Sequence, residues 1–149
     1  MYQSQVDRER KDPLYMQSNK LESSHEITLA EDFTQLYYDK LDKQQYQVVS
    51  RLYLPQALQV WNGISNSGIE KIQQFLSQLP QSTHTVMSLD TQRLHENATE
   101  NKTFLIKTGG IVRFKDHGTK QFFHTFFTTM VDGKYKISID NYRCTDGTP

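Results

Sequence analysis

Two pairs of phenylalanines, Phe122-Phe123 and Phe126-Phe127, stand in one run from Lys120 to Val131. They constrain the fold more than any other feature. The run is bounded by the turn-forming groups Asp116-His117-Gly118 and Asp132-Gly133, so it reads as a single strand. Side chains on a strand alternate between faces at period two. Phe122 and Phe126 therefore point to one side, and Phe123 and Phe127 to the other. A sheet holding this strand needs cover on both faces, because an exposed contiguous aromatic patch marks an interface.

The rest of the chain supplies cover for one face only. Three more runs, 83–95, 103–115 and 135–143, have the texture of strands. The segments between them are short, which predicts antiparallel neighbours. Gly109-Gly110 inside the second run suits a bulge or bend that curves the sheet. Before the strands come helices. Thr28 and Glu31 have capping-box spacing, and Leu29, Phe33, Leu36, Tyr37 and Leu41 form an apolar stripe. A second short helix is predicted through Tyr46, Val49, Leu52 and Tyr53, ended by Pro55. Leu58 to Trp61 alternates as a short strand, which the Asn62-Gly63 turn sends back toward Ser67. A third helix carries Ile69, Ile72, Phe75, Leu76 and Leu79 and closes at Pro80. Helices first and a meander second predict an α+β fold, with three helices on one face of a curved antiparallel sheet. The domain spans 27–146. Residues 1–26 are charged and poor in large apolar groups, and read as a flexible N-terminal tail. The face with Phe123 and Phe127 is expected to meet another protein, for which roughly 800 Å² per partner suffices.

Composition narrows the partner. At 149 residues there is room for one domain. Its 17 basic and 17 acidic residues cancel, so no global field gathers nucleic acid or an anionic membrane. Neutrality also limits the solubility of a lone chain, as suits a subunit. The single Cys144 rules out an internal disulfide and a multi-cysteine zinc site. Residues 1–20 hold no apolar run, so no signal peptide is expected, and no stretch reaches the ~20 apolar residues of a membrane span. A reducing compartment follows, and with it the dismissal of the sequons at Asn97 and Asn101 as chance matches. The basic run Arg8 to Lys11 is interrupted by acids and reads as a solvated tail.

No reaction chemistry stands out. His25, His84, His95, His117 and His124 form no metal-ligand spacing, Cys144 lacks a nucleophile context, and Gly109-Gly110 precedes no helix that would cradle a phosphate. No catalytic residue, metal or cofactor is expected. A pocket enzyme would need an inward acid with a raised pKa beside a Tyr or His. Asp90 reads as the only carboxylate in the middle of a strand. Tyr37 and Tyr38 offer hydroxyls, but no second charged group completes a site. Asp90 is then either solvated or met by a cation from a partner, in which case it sets partner choice.

Four segments resemble the nuclear transport factor 2 family. They are Ser50-Arg51-Leu52-Tyr53 leading into Val60-Trp61-Asn62-Gly63; Phe75-Leu76-Ser77-Gln78-Leu79-Pro80; Gly110-Ile111-Val112-Arg113-Phe114; and Tyr135 through Arg143. They run in register from about residue 27 to 145. The resemblance implies a cone-shaped α+β fold. The first segment looks like the family's export-related branch, whose members pair with the similar domain of the large mRNA export receptor. For this chain it implies a non-enzymatic adaptor in a heterodimer, shuttling between nucleus and cytoplasm. Nucleoporin Phe-Gly repeats would be met through the complex, and RNA by the receptor. Asp90 matches the strand acid that in this branch meets an arginine of the receptor, and Lys107, Phe123, Thr125 and Asn141 fall on the family's pairing face. The alternative branch is a homodimeric import carrier for Ran-GDP, which uses acidic residues around the mouth of its cavity. Here those places hold Asn62, Lys115 and His117, none acidic. A pocket enzyme of the same fold is the third reading.

Overall fold

The computed structural model of the chain describes residues 13–94 and 102–146, with side chains from residue 24 onward. Three helices, α1 (Pro13–Asp42), α2 (Tyr46–Ser50) and α3 (Ile69–Ser77), accompany six strands. The strands are β1 (Tyr53–Trp61), β2 (Ile64–Ser67), β3 (Ser82–Leu94), β4 (Thr103–Phe114), β5 (Gly118–Val131) and β6 (Lys134–Cys144). They form one open sheet in the order β2-β1-β6-β5-β4-β3.

The pairing departs from the expected all-antiparallel sheet at one seam. β1 and β6 run parallel, Val60 beside Asn141 and Trp61 beside Tyr142. The long crossover from β1 to β6 permits this, whereas the short turns elsewhere enforce antiparallel neighbours. The Asn62-Gly63 turn forms as expected, with both residues at positive φ, and returns β1 into β2.

The helical half departs in three places. α1 begins at Pro13 rather than at Thr28, so 13–26 are helical where a tail was expected, and residues 1–12 lie outside the described residues. Thr28 is no cap: its hydroxyl donates to the Ser24 carbonyl one turn back, 3.0 Å away. The buried stripe of α1 is Ala30, Phe33, Thr34, Tyr37, Tyr38 and Leu41, and Leu36 faces outward. Finally, Pro55 does not stop α2 but lies within β1. It sits where the β1–β6 register jumps between Tyr53 and Leu58, so its missing N–H interrupts no ladder bond.

Helix stripes and the inner sheet face share one core. Phe122 and Phe126 of β5 lie in it with Tyr37, Tyr53, Trp61, Ile72, Leu76, Ile106, Ile137 and Tyr142. Trp61 stacks on Tyr142 with ring centroids 3.7 Å apart, and Tyr142 is parallel to Phe122 at 5.7 Å. Flat rings fill the centre of the sheet, and each buries enough apolar area to contribute about 2–3 kcal/mol.

Two irregularities decide which side chains face inward. In β3 the ladder to β4 slips between Val86 and Ser88, leaving Met87 as an extra residue. Before it the even positions Ser82 and His84 face the core; after it the odd positions Leu89 and Thr91 do, and Asp90 turns outward. In β6 the slip falls at Ser138, whose hydroxyl donates to the Phe127 carbonyl, 3.0 Å away. Tyr135 and Ile137 are buried before it, and Asp140, Tyr142 and Cys144 after it. The predicted bulge beside Gly109-Gly110 is thus present, carried by the facing strand.

Candidate functional site

The core contains a polar network that sequence reasoning missed. Asp140 lies in the middle of β6 with no exposed surface, so Asp90 is not the only mid-strand carboxylate. Asp140 Oδ2 accepts the His124 Nε2–H at 2.7 Å and the Tyr53 hydroxyl at 2.9 Å. With Nε2 donating, His124 Nδ1 must accept, and it takes the Tyr38 hydroxyl at 2.8 Å. The Thr108 hydroxyl then donates to the Tyr38 oxygen at 2.7 Å. Tyr37 and Gln59 both reach the Tyr53 oxygen, at 2.8 and 3.1 Å. A second relay lies beside it. Asp42 accepts the backbone N–H and the Nδ1–H of His84, each at 2.7 Å, and the Tyr142 hydroxyl donates to His84 Nε2 at 2.9 Å. Tyr38 stacks on the His84 ring, centroids 4.8 Å apart, and so joins the two.

Desolvation dominates the electrostatics. Burial pushes the Asp140 carboxyl up against the lowering pull of His124, and pushes the His124 imidazole down against the raising pull of Asp140. Tyr37, Tyr38 and Tyr53 are all held well above the usual phenol range for the same reason. An acid, a histidine and tyrosines in contact are the ingredients of proton-transfer chemistry. Asp140 and the His124 side chain have no exposed surface and lie in the core with the rings of Trp61, Tyr142, Phe122 and Phe126, while Tyr38, Asp42 and His84 line a cavity of about 650 Å³ between α1 and β3. The network links α1, β1, β4, β5 and β6 through side-chain hydrogen bonds.

The outer face is a different surface. Ladder partners form rows across it. One row runs Asp90, Lys107, Thr125, Asn141, Val60, Ser65 from β3 to β2. Four of the five residues expected to meet a partner thus stand side by side. The fifth, Phe123, is next along β5, between Gly109 and Arg143, and is 59% exposed. The row on the other side of Thr125 is apolar: Leu105, Phe127, Ile139, Leu58. Phe127 and Ile139 are 37% and 43% exposed, and Ile111 near the β3 edge 38%. Asp90 and Lys107 face each other across β3 and β4 but make no ion pair within 4 Å.

Other expected positions fall elsewhere. Asn62 locks the turn after β1, accepting the Cys144 backbone N–H at 2.9 Å. Lys115 and His117 are exposed at the β4–β5 turn. His95 and the sequons at Asn97 and Asn101 lie outside the described residues. Among the described residues no three His, Cys, Asp or Glu side chains form a metal-binding group, and no helix is long and apolar enough to cross a membrane.

Comparison with known proteins agrees with this architecture. The chain is similar to NTF2-related export protein 2 of Bos taurus, 38% identical over 122 residues, covering 78% of this chain and 85% of that protein. It is similar to the NTF2-related export protein of Caenorhabditis elegans, 33% identical over 116 residues, with 76% and 84% covered. Nuclear transport factor 2 of Cryptosporidium parvum superposes with a TM-score of 0.66 at 20% identity, covering 79% of this chain and 93% of that one, and so shares the fold. The model of the nuclear transport factor 2 domain matches residues 29–144. The chain belongs to the nuclear transport factor 2 domain family.

Proposed function

We propose that this chain is a nuclear export adaptor: a small, non-enzymatic subunit that pairs through its outer sheet face with the similar domain of the large mRNA export receptor. The observation that carries the reading is the outer face that exposes Phe123 on one side and the row of Leu105, Phe127 and Ile139 on the other, with Asp90, which makes no ion pair within 4 Å among the described residues, in the polar row between them. Such a face is costly in water and resembles half of an obligate interface. The export names of the relatives support the same direction.

Pairing would stabilise the receptor domain by mass action, since the adaptor binds its folded form and not its unfolded chain. The assembled pair then passes the pore through the receptor's contacts with nucleoporin Phe-Gly repeats, moving between nucleus and cytoplasm, and the receptor holds the RNA. Asp90 sets specificity: a partner lacking a cation leaves a desolvated carboxylate. A Ran-GDP carrier is the weaker reading on charge grounds, because Asn62, Lys115 and His117 supply no acid.

The test is a pull-down of the receptor's nuclear transport factor 2-like domain by wild type and Asp90→Arg. Reversing the charge is expected to abolish pairing, at a cost of about 3–5 kcal/mol for a broken buried pair. Equal recovery of the domain by both would remove Asp90 and this face from the role.

A further inference from the structure

Two tight turns of this chain are built alike and held differently. Asn62-Gly63 joins β1 to β2 and Asp132-Gly133 joins β5 to β6, each with both loop residues at positive φ, the geometry of a type I′ turn. An asparagine before a glycine is also a chemical liability, because glycine has no side chain to keep its nitrogen off the neighbouring amide. Gly63 is exposed, with nothing within 4 Å of the place a Cβ would occupy, so water and base reach it freely. Asn62 itself is tied across the sheet. Its backbone N–H donates to the Tyr142 carbonyl at 2.8 Å, its Oδ1 accepts the Cys144 N–H at 2.9 Å, and its Nδ2 donates to Cys144 Sγ at 3.4 Å. Asp132 has no such tie: among the described residues its carboxylate makes no hydrogen bond or ion pair.

We propose that Asn62 is a gated modification site, whose amide is stored against residue 144 and is converted to a carboxylate only when the end of β6 leaves β1. The inference holds whatever the outer face binds. The step consumes water and nothing else. The Gly63 nitrogen gives its proton to hydroxide and attacks Asn62 Cγ. The new C–N bond closes a cyclic imide, and Nδ2 leaves as ammonia with a proton taken from water. Water then opens the imide at either carbonyl, giving aspartate or isoaspartate. Ring closure swings Cγ toward the Gly63 nitrogen and frees Nδ2, which breaks the bonds to residue 144. The gate is therefore a local opening of the β1–β6 seam. Conversion does not reverse. An ionised carboxylate cannot donate to Cys144 Sγ, and it sets a negative charge beside a buried thiol. Isoaspartate also lengthens the backbone of a turn that fits two residues. The molecule thereby records how often this corner has opened.

The experiment uses the full chain carrying Asp132→Asn, which places two asparagine-glycine turns of one geometry in the same molecule, one tied and one free. The protein is held in mildly alkaline buffer, and conversion at each turn is followed by peptide mass and by isoaspartate-specific methylation. In the folded chain the 62–63 turn should convert at least about tenfold more slowly than the 132–133 turn, the factor that two net hydrogen bonds impose. In denaturing urea, where the tie is gone, the two rates should agree within about threefold. Cys144→Pro tests the tie itself. The Cys144 N–H points at Asn62 and away from β5, so proline removes that bond and spares the ladder. Added to Asp132→Asn, and with a cooperative melt to show folding, it should bring conversion at 62–63 to within about threefold of that at 132–133. Equal conversion of both turns in the folded Asp132→Asn chain overturns the gate. So does a difference of about tenfold that survives urea, which would place the cause in local sequence. A folded Cys144→Pro chain whose 62–63 turn stays slow overturns the tie to residue 144. Should Cys144→Pro not fold, the comparison of folded and urea-treated Asp132→Asn decides alone.

Discussion

His124 and Asp140 meet at 2.7 Å in the centre of the core, both side chains fully buried, at the ladder crossing of β5 and β6. Each fixes the other: the carboxylate sets the tautomer of the ring, and the ring relieves part of the cost of a carboxylate without water. Tyr53 and Tyr38 extend the pair to β1 and α1. The network therefore ties together elements distant in sequence.

Removing the acceptor should be costly. Asp140→Ala leaves the His124 Nε2–H and the Tyr53 hydroxyl without their shared oxygen and opens a small void. The expected loss is about 3–5 kcal/mol, read from the midpoint and slope of urea unfolding. A loss under about 1 kcal/mol would mean that the network contributes little to holding the core.

Acidification should weaken the fold through His124. Its folded pKa is depressed by burial below the ordinary 6.5, so the stability it contributes is present above 6.5 and is lost as pH falls toward the depressed value. Over that window the slope is at most about 1.4 kcal/mol per pH unit. Asp140 has the opposite sign. Its folded pKa is raised, so its contribution is full below 3.8 and is lost as pH rises through the raised value. Unfolding free energies of wild type and His124→Gln between pH 7.5 and 5.5 should diverge in slope, the variant being flatter. Parallel curves would assign the acid sensitivity elsewhere.

Gly110→Ala should fail where Gly109→Ala does not. The added methyl would overlap the Thr85 carbonyl, and relief requires moving β3 off β4 at the bulge. A loss of about 3 kcal/mol or more is expected, seen as a lowered melting temperature or insoluble expression. A melting temperature within about 2 °C of wild type would show that the bulge can relax at little cost.

The cross-strand pair Phe127 and Ile139 gives a cheap test of the outer face. Phe127→Ser with Ile139→Thr removes exposed apolar area and no core contact. The isolated variant should unfold within about 0.5 kcal/mol per site of wild type and self-associate less in sedimentation at matched concentration. Unchanged self-association would exonerate this patch.

Much of the architecture was legible because local signals agreed with the tertiary result. The Asn62-Gly63 turn, the Ile69 to Leu76 stripe and the four long strands appear close to their expected bounds. The Phe122 to Phe127 alternation correctly announced a sheet with one face open. Asp140 was invisible for a physical reason. From Tyr135 and Ile137 a strict period of two carries Ile139 inward and Asp140 outward, and only the slip at Ser138 exchanges them. The slip at Met87 likewise takes Asp90 off the face that His84 occupies. An extra residue in a strand has no reliable composition, so parity cannot be followed across it. The start of α1 was missed because Thr28 and Glu31 match a cap, while the real helix simply continues through them.

The place of β6 in the sheet bears on how the molecule is made. It is synthesised after every other strand, yet it sits between β1 and β5 and joins the two halves. Without it the sheet divides into a β1–β2 hairpin and a β3–β4–β5 meander, joined through the helices packed on them. Asp140 and Tyr142 arrive with that strand, so the buried relays close last. The outer surface that β6 shares with β5, with Asn141 beside Thr125 and Ile139 beside Phe127, takes shape only once β6 has paired there.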